Sequence, residues 1–389
     1  MASNSQQQRL DFLQALAGNR RDPELDKVKL FPSHIAVRRM PSIVSQFLQL
    51  LSSTNSWPDP PFTDIPQCRG LSDYADGLLT EALGPCPAGI HEEVCNIHVS
   101  DSYTSEALVT RPAPVTSLSP GPLIVLFHPG GFFLGSPAKL AMYARPLAKL
   151  FNASVLCPSY RFAPEHAFPT GVEDAWATLK WAASHASEIG ADPERGFLVG
   201  GISSGANFAV ALTRRAVETG LQPSLTGTWA PIFMGLNERE AVPDAYRPLW
   251  ASHEQHGDAL VIDGPKAATM WEYYKPVITS PLFNPLASPF EKIGAMPKMF
   301  LQVAGHDMFR DDGLILAYAL QDHGVEVKLE MYPGVCHSFW VFAPDLTLSK
   351  RFISDIVGGF AWLLGVSVES LDYGWEMAIA MPAFKIADT

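Results

Sequence analysis

Short apolar runs recur through the middle of the chain, and longer amphipathic segments separate them. Residues 123–127 and 153–157 are continuous apolar runs, typical of strands that are buried on both faces of a parallel sheet. The same pattern predicts six further strands, at residues 94–99, 108–111, 196–200, 224–229, 299–303 and 327–331. It predicts helices at residues 71–83, 140–151, 172–187, 205–218 and 313–323. This alternation is typical of the α/β fold class, with a mostly parallel central sheet flanked by helices.

The beginning and the end of the chain depart from this alternation. Residues 1–22 are polar, and residues 25–52 are mostly helical in pattern, with breaks at Pro32 and Pro41. A proline-rich connector follows at residues 57–62. We predict three regions, which are an N-terminal helical segment that contributes to a cap (1–92), the main α/β domain (93–365) and a C-terminal tail (366–389).

Residues 233–285 also break the rhythm, directly after the predicted strand 224–229. This stretch is rich in tryptophan and tyrosine, at Tyr246, Trp250, Trp271, Tyr273 and Tyr274. Enzymes built on such sheets insert lids at this place, so we predict a lid over the strand ends. The alternative is an ordinary helical excursion that packs on the core.

Composition narrows the class of protein. The chain has 389 residues, of which 47% are hydrophobic and 17% charged, so a sizeable core is expected and wholesale disorder is not. A net charge of −12 argues against a nucleic-acid partner, which needs a basic face. No apolar run approaches the length of a membrane span, and the polar N-terminus does not resemble a signal peptide. Five scattered cysteines without a CxxC pair predict neither a zinc site nor a disulfide framework, so we expect a soluble, cytoplasmic protein with reduced thiols.

The first candidate for chemistry is a serine between a predicted strand and a predicted helix. The pentapeptide is Gly201-Ile202-Ser203-Ser204-Gly205. Gly-x-Ser-x-Gly in this setting is the nucleophile elbow, in which a tight turn presents the serine hydroxyl at the head of a helix. Ser203 is the better nucleophile, because Ser204 lacks the flanking glycines. The alternative is a plain Gly/Ser loop.

A serine hydroxyl needs a base, and the base needs a group that orients it. Asp307 follows the predicted strand 299–303, and His337 follows the predicted strand 327–331. Both therefore lie at the carboxyl ends of strands, where open α/β sheets place ligand chemistry. The order Ser, Asp, His along the chain is the order expected with a nucleophile elbow.

Neighbouring side chains offer alternatives to these assignments. Asp311 and Asp312 lie near Asp307, but they open the next predicted helix and are expected to cap its N-terminus. His306 could replace His337 as the base, although a loop histidine is the simpler interpretation. Cys336 is expected to be a buried, inert thiol.

A glycine pair follows the apolar run 123–127, in the segment His128-Pro129-Gly130-Gly131. The tetrahedral intermediate of acyl transfer needs N–H donors for its negative oxygen. Glycines let the backbone approach a ligand closely, so Gly130, Gly131 and the N–H of Ser204 are the predicted oxyanion hole. The alternative is a plain Pro–Gly turn.

These motifs together resemble the hormone-sensitive-lipase-like branch of the α/β-hydrolases. Besides the elbow, the segments that carry the likeness are residues 128–131, similar to His-Gly-Gly-Gly, residues 160–169, similar to Tyr-Arg-Leu-Ala-Pro-Glu-His, and the loops 307–312 and 337–339. The likeness covers residues 123–364, with a weak zone at 233–280. It departs from the family at Pro129, Ile202 and Ala206, where the family often has Gly, Asp and Gly.

The resemblance implies an α/β-hydrolase fold with a helical cap and a serine carboxylic-ester hydrolase without metal or cofactor. In it Ser203 attacks, His337 transfers the proton and Asp307 orients His337. Four aromatic residues beside these loops are candidates for the substrate pocket, with core packing as the alternative: Phe132, Phe133, Phe339 and Trp340.

We expect as substrate a small apolar ester, lactone or thioester with a short acyl group, such as a secondary metabolite, and a monomer or homodimer. Dehydration or cyclisation with the same residues is a second hypothesis. A small-molecule receptor is the third, disfavoured because Ser203, Asp307 and His337 are all present.

Overall fold

An eight-stranded sheet forms the centre of the computed structural model, which describes residues 62–113, 120–289, 291–344 and 346–367. The strand order is β1-β2-β4-β3-β5-β6-β7-β8, and only the β1–β2 and β2–β4 pairs are antiparallel. The strands are β1 Ile90–Ser100, β2 Tyr103–Pro112, β3 Leu123–Phe127, β4 Ser154–Pro158, β5 Phe197–Gly201, β6 Gly227–Pro231, β7 Met299–Ala304 and β8 Val327–Tyr332. The predicted α/β class with a mostly parallel sheet is confirmed.

Helices cover both faces of this sheet. They are α1 Ile65–Leu83, α2 Ala141–Phe151, α3 Thr170–Ser184, α4 Ser204–Thr219, α5 Ser252–Gln255, α6 Gly264–Tyr274, α7 Arg310–Asp322, α8 Phe339–Phe342 and α9 Thr347–Leu364. Short 3-10 turns lie at Pro137–Leu140, Pro193–Arg195, Arg239–Ala241, Arg247–Leu249 and Ile293–Ala295.

Strand β3 shows how the two faces are divided. All five of its residues are buried, as the continuous apolar run predicts. Leu123, Val125 and Phe127 pack into the apolar cluster that contains α3 and α4. Ile124 and Leu126 pack into the cluster that contains α2 and α9. Alternate residues therefore serve opposite faces, because the side-chain period of a strand is two.

The predicted start of the first described helix was wrong by six residues. We predicted 71–83, and α1 begins at Ile65. The Asp64 side chain accepts a 3.0 Å hydrogen bond from Gln67 N, and a proline occupies the first turn. Both features stabilise a helix N-terminus, so the helix starts directly after this cap and not at Leu71.

The insertion, which is the segment between β6 and β7, contains α5, α6 and three of the 3-10 turns, of which two lie in the predicted lid at residues 233–285. The described part of the chain does not include residues 1–61 and 368–389. Three predictions therefore lie wholly or mostly outside it, namely the helical pattern at 25–52, the connector at 57–62 and the C-terminal tail at 366–389. Among the helices that are described, none has the length and apolar character needed to cross a membrane.

Candidate active site

The turn between β5 and α4 holds Ser203 in a strained conformation. Its φ is 58° and its ψ is −116°, a region that residues other than glycine rarely adopt. A Cβ on Gly201 would lie 2.3 Å from the Gly205 carbonyl oxygen, and one on Gly205 would lie 2.1 Å from the Phe127 carbonyl oxygen. Both flanking positions therefore require glycine, which is the physical reason for the Gly-x-Ser-x-Gly pattern.

Ser203, His337 and Asp307 form a continuous hydrogen-bonded chain. Ser203 Oγ lies 2.9 Å from His337 Nε2, and His337 Nδ1 lies 2.7 Å from Asp307 Oδ2. The residues are 3%, 3% and 1% exposed, respectively. Because an ionised carboxylate only accepts, Nδ1 carries the proton and Nε2 is left to accept from the serine hydroxyl. The structure thus brings together the three residues chosen from the sequence.

Two loops that follow β7 and β8 are joined by their backbones. Gly305 N donates to Tyr332 O at 2.7 Å, and His306 N donates to Val335 O at 2.9 Å. A Cβ on Gly305 would lie 2.8 Å from Pro333 Cα, so only glycine allows this approach. The contact fixes the two loops that carry Asp307 and His337 relative to each other.

The Asp307 carboxylate is further held by its own loop. Its Oδ1 accepts a 3.0 Å hydrogen bond from Phe309 N. The Phe309 ring lies edge-on to His337, with 5.8 Å between ring centroids. His306 does not take the place of the base, since His337 makes the contact with Ser203.

The loop after β3 needs glycine at both predicted oxyanion positions. Gly130 and Gly131 have φ values of 142° and 59°. A Cβ on Gly130 would lie 1.8 Å from the Leu134 carbonyl oxygen. Within the described residues, the N–H groups of Gly130, Gly131 and Ser204 donate to no other group of the protein. These are the three N–H groups of the predicted oxyanion hole.

His128 makes this loop rigid. Its Nδ1 donates to Pro129 O at 2.9 Å, and its ring stacks on Tyr160 with centroids 4.4 Å apart. Tyr160 OH donates to His128 O at 3.1 Å. Complete burial lowers the pKa of His128 to about 4, so the ring is neutral at physiological pH and adds no charge beside the glycines.

Two of the four predicted pocket residues lie near the insertion. Phe132 stacks on Tyr274 of α6 with 3.8 Å between centroids. Phe133 meets Phe62 and Tyr273 edge-on, at 5.1 Å and 5.6 Å. The loop after β3, the start of the described chain and α6 therefore meet around Phe132 and Phe133.

The other two predicted pocket residues, Phe339 and Trp340, are fully buried in the core. Trp340 stacks on Phe352 of α9 at 3.7 Å, and its Nε1 donates to Tyr143 OH at 2.8 Å. Phe339 packs against Tyr332 and Phe352. These contacts favour the core-packing alternative for both residues.

Asp311 and Asp312 do not cap their own helix, contrary to the expectation from the sequence. Asp312 Oδ2 accepts from the N–H groups of Gly235 and Leu236, both at 2.9 Å. Asp311 Oδ2 accepts from Ala251 N and Ser252 N at 2.7 Å and 2.6 Å. Both carboxylates are fully buried and face N–H groups of the insertion instead of those of their own helix, because buried acceptors need donors.

Asn207 is a site residue that the sequence did not indicate. It is fully buried on α4, one turn after Ser203. Its Nδ2 donates to Met234 O at 2.9 Å and to Phe283 O at 2.7 Å. One amide therefore ties both ends of the insertion to the helix that begins at the elbow. Met234 in turn places its Sδ 3.4 Å from Ser203 Oγ.

Arg69 of α1 makes a contact with the loop after β3 that the sequence did not indicate. Its guanidinium donates to the Phe133 carbonyl at 2.9 Å and to the Ala163 carbonyl at 3.0 Å. It also forms a bidentate pair with Glu165, at 2.8 Å and 2.7 Å. This pair lowers the pKa of Glu165 to about 2. Helix α1 is thus held to the loop after β3 through one side chain.

Two of the three departures from the family pattern, at Ile202 and Ala206, have packing reasons. Ile202 is 2% exposed and packs in the apolar cluster of α2 and α9. Ala206 is fully buried in a third apolar cluster that includes residues of α7. An aspartate at position 202 would place a charge in apolar surroundings, so the elbow here is built around a hydrophobic contact. Cys336 is also buried, as expected.

Comparisons with known proteins agree with this geometry. A sequence model of the alpha/beta hydrolase fold matches residues 124–341. An AB hydrolase superfamily protein of Schizosaccharomyces pombe is 32% identical over 302 residues, which cover 78% of this chain and 88% of that protein.

Two further relatives have names that describe reactions. The versiconal hemiacetal acetate esterase of Dothistroma septosporum is 29% identical over 248 residues, which cover 63% of this chain and 74% of that protein. The crystal structure of vibralactone cyclase superposes with a TM-score of 0.73 at 28% identity, covering 79% of this chain and 91% of that one.

Proposed function

The chain belongs to the α/β-hydrolase-fold family, and from this premise we propose that it is a serine carboxylic-ester hydrolase that uses Ser203, His337 and Asp307. The resemblance to the hormone-sensitive-lipase-like branch is confirmed, and the protein is an esterase-like α/β-hydrolase. The observation that carries the proposal is the unbroken chain from Ser203 Oγ through His337 to Asp307.

Acylation follows from these contacts. Ser203 Oγ attacks the carbonyl carbon of the ester while its proton moves to His337 Nε2, which already lies at hydrogen-bond distance. Asp307 keeps the proton on Nδ1 and stabilises the imidazolium without becoming protonated. The bond to the leaving alkoxide then breaks, and the alkoxide takes the proton from Nε2. The product of this half is an acyl group bonded to Ser203.

Deacylation reverses the roles. Water gives a proton to His337 Nε2 and attacks the acyl carbon, and the new intermediate collapses to release the acid. The proton on Nε2 returns to Ser203 Oγ. In both half-reactions the negative oxygen is bound by the N–H groups of Gly130, Gly131 and Ser204. Each such donor contributes roughly 3 kcal/mol of transition-state stabilisation.

The surroundings of Ser203 favour an apolar substrate. The apolar cluster that includes Phe132, Met234, Met270 and Phe309 also contains Tyr274 of the insertion. Trp271 of α6 lies between Phe132 and Phe309, at 6.2 Å and 6.1 Å. These groups offer little to a charged substrate, so we propose a small apolar ester, lactone or thioester. The acetate ester in the name of one relative supports a short acyl group.

Replacement of the nucleophile tests the reaction. Ser203→Ala should lower kcat for p-nitrophenyl acetate by at least about 10⁴-fold, since removal of a triad serine eliminates covalent catalysis. Ser184→Ala, at the exposed end of α3, is the matched control and should keep the parent rate. Parent-like turnover by Ser203→Ala would refute the proposal.

Cyclisation or elimination is the second candidate, favoured by the similarity to vibralactone cyclase. In that reaction His337 removes a proton and Ser203 only binds the substrate. A covalent serine probe separates the two hypotheses. Labelling of Ser203 together with ester turnover supports hydrolysis, whereas product formation that survives Ser203→Ala supports elimination.

A further inference from the structure

Met234 contacts the proposed nucleophile directly. Its Sδ lies 3.4 Å from Ser203 Oγ, and the residue is fully buried. The serine hydroxyl has one proton, and the shorter 2.9 Å contact with His337 Nε2 takes it. The thioether is therefore a packing neighbour of Oγ, and it occupies space that any group bonded to Oγ must share.

The order of strands shows on which side of Ser203 this sulfur lies. Ser203 follows β5, which is flanked by β3 on one side and by β6 on the other. Gly130 and Gly131 follow β3, whereas Met234 follows β6. The thioether therefore lies opposite the oxyanion hole. Strands β7 and β8, which lead to Asp307 and His337, lie on the same side of β5 as β6, so the strand order separates Met234 from the glycines but not from His337. In the acyl-enzyme the leaving group has departed, and the acyl group bonded to Oγ is the group that meets the thioether, whose Sδ lies 3.4 Å from Oγ.

The backbone at Met234 is fixed on both sides. Its carbonyl accepts from Asn207 Nδ2 at 2.9 Å, and the next N–H, of Gly235, donates to Asp312 Oδ2 at 2.9 Å. Both partners are fully buried. The thioether can change rotamer, but the residue cannot withdraw from Ser203 without the loss of buried hydrogen bonds.

We propose that Met234 is the residue that limits the length of the acyl group, and that the protein acts on acetyl-sized esters. This proposal rests on the proposed ester hydrolysis and specifies its substrate class. An acetyl group adds one methyl beside the sulfur. A longer acyl chain must push the thioether aside, and because methionine is flexible the penalty grows with chain length and is not absolute.

The test varies the acyl chain with a constant leaving group. The kcat/KM of the full chain is measured on p-nitrophenyl acetate, butyrate and hexanoate for the parent, for Met234→Ala and for Met234→Val. The parent should prefer acetate. Each truncation should raise the hexanoate-to-acetate ratio by about ten-fold or more, because one methylene in an apolar pocket changes selectivity by about 10–200-fold.

Met270→Ala is the matched control. Met270 belongs to the same apolar cluster, but its Sδ faces Gly131, 3.0 Å from where a Cβ on that residue would lie. This substitution should change the acyl ratio by much less than Met234→Ala. A second control keeps acetate and varies the alcohol, and Met234→Ala should leave that series in the parent's order.

The outcomes separate this proposal from the one on which it rests. Hydrolysis with an unchanged acyl ratio in both Met234 variants overturns the role of Met234 and leaves ester hydrolysis standing. If Met234→Ala instead changes the order of kcat/KM in the alcohol series, Met234 lies on the leaving-group side, and its proposed role in acyl length is overturned. A parent enzyme that hydrolyses none of the esters contradicts both proposals. Thermal unfolding shows whether each variant is folded.

Discussion

Gly205 is a position where a single methyl group should severely disturb the site. A Cβ on Gly205 would lie 2.1 Å from Phe127 O, 2.6 Å from Phe127 C and 2.9 Å from His128 O. All three atoms belong to the backbone, so no side chain can rotate away. Gly205→Ala must therefore move the turn at Ser203 away from the end of β3, where the loop with Gly130 and Gly131 begins.

The size of the effect follows from the overlap. Real Cβ atoms essentially never approach another heavy atom within 3.0 Å, whereas the new contact would be 2.1 Å. The two backbones must separate by about 1 Å, and a displacement of that size in a catalytic site costs about 10²-fold in rate. This corresponds to about 2.7 kcal/mol of transition-state stabilisation. Overpacking should also lower the free energy of unfolding by about 1–3 kcal/mol.

The assay is kcat/KM on p-nitrophenyl acetate, together with urea unfolding. Gly77→Ala is the matched control, since Gly77 is exposed on α1 and a Cβ there meets nothing within 4 Å. The control should keep full activity and gain up to about 1 kcal/mol of stability from helix propensity. Parent-like kcat/KM in Gly205→Ala would show that the elbow does not need this close approach, and would refute the reasoning.

Three further predictions concern stability. Asp312→Ala leaves buried N–H groups of the insertion without their acceptor, so the free energy of unfolding in urea should fall by about 3 kcal/mol or more; a fall below about 1 kcal/mol would contradict this role. His128 has a pKa of about 4 in the folded state and 6.5 in the unfolded state, so the unfolded chain binds the extra proton between these values. The parent should therefore lose about 3 kcal/mol more than His128→Gln as pH falls from 7 to 4. The Arg69–Glu165 pair lowers the pKa of Glu165 from 4.5 to about 2, so its contribution is present above pH 4.5 and is lost as pH falls toward 2. Unfolding of Glu165→Gln should show a smaller acid dependence in that window than the parent, and identical curves would argue against the pair.

Features that depend on local sequence were predictable. Strand β3 is observed at the residues predicted, because a buried parallel strand is a continuous apolar run between breaks. The place of Ser203, Asp307 and His337 at one edge of the sheet also followed from the sequence, since each lies just beyond the carboxyl end of a predicted strand. Their hydrogen bonds depend on the order of strands in the sheet, which the alternation of strands and helices does not fix and the structure supplies.

Features that depend on contacts between distant segments were not predictable. Asp312 lies 77 residues from Gly235, to which it is hydrogen-bonded, and its place in the first turn of α7 suggested a cap. Asn207 lies 76 residues from Phe283. Nothing in a polar residue's local sequence tells whether it will face its own helix or a segment folded back from elsewhere. The same holds for Trp340, whose position beside His337 suggested a pocket although its ring packs on α9.

The departures at Ile202 and Ala206 show how a motif can be kept while its neighbours change. The turn requires glycine only where a Cβ would meet backbone, at Gly201 and Gly205. The neighbouring positions 202 and 206 are determined by packing, since Ile202 and Ala206 belong to two separate apolar clusters. We expect them to affect stability more than the reaction type.

The account depends most on an acyl group bonded to Ser203. The direct measurement is acid quenching of the enzyme with p-nitrophenyl acetate within the first turnover, followed by peptide mass spectrometry. The account predicts one acetyl group per chain on the peptide that contains Ser203, located on that residue by fragmentation and absent from Ser203→Ala. Turnover without any acyl-enzyme, or an acetyl group on another residue that disappears at the rate of turnover, would contradict it.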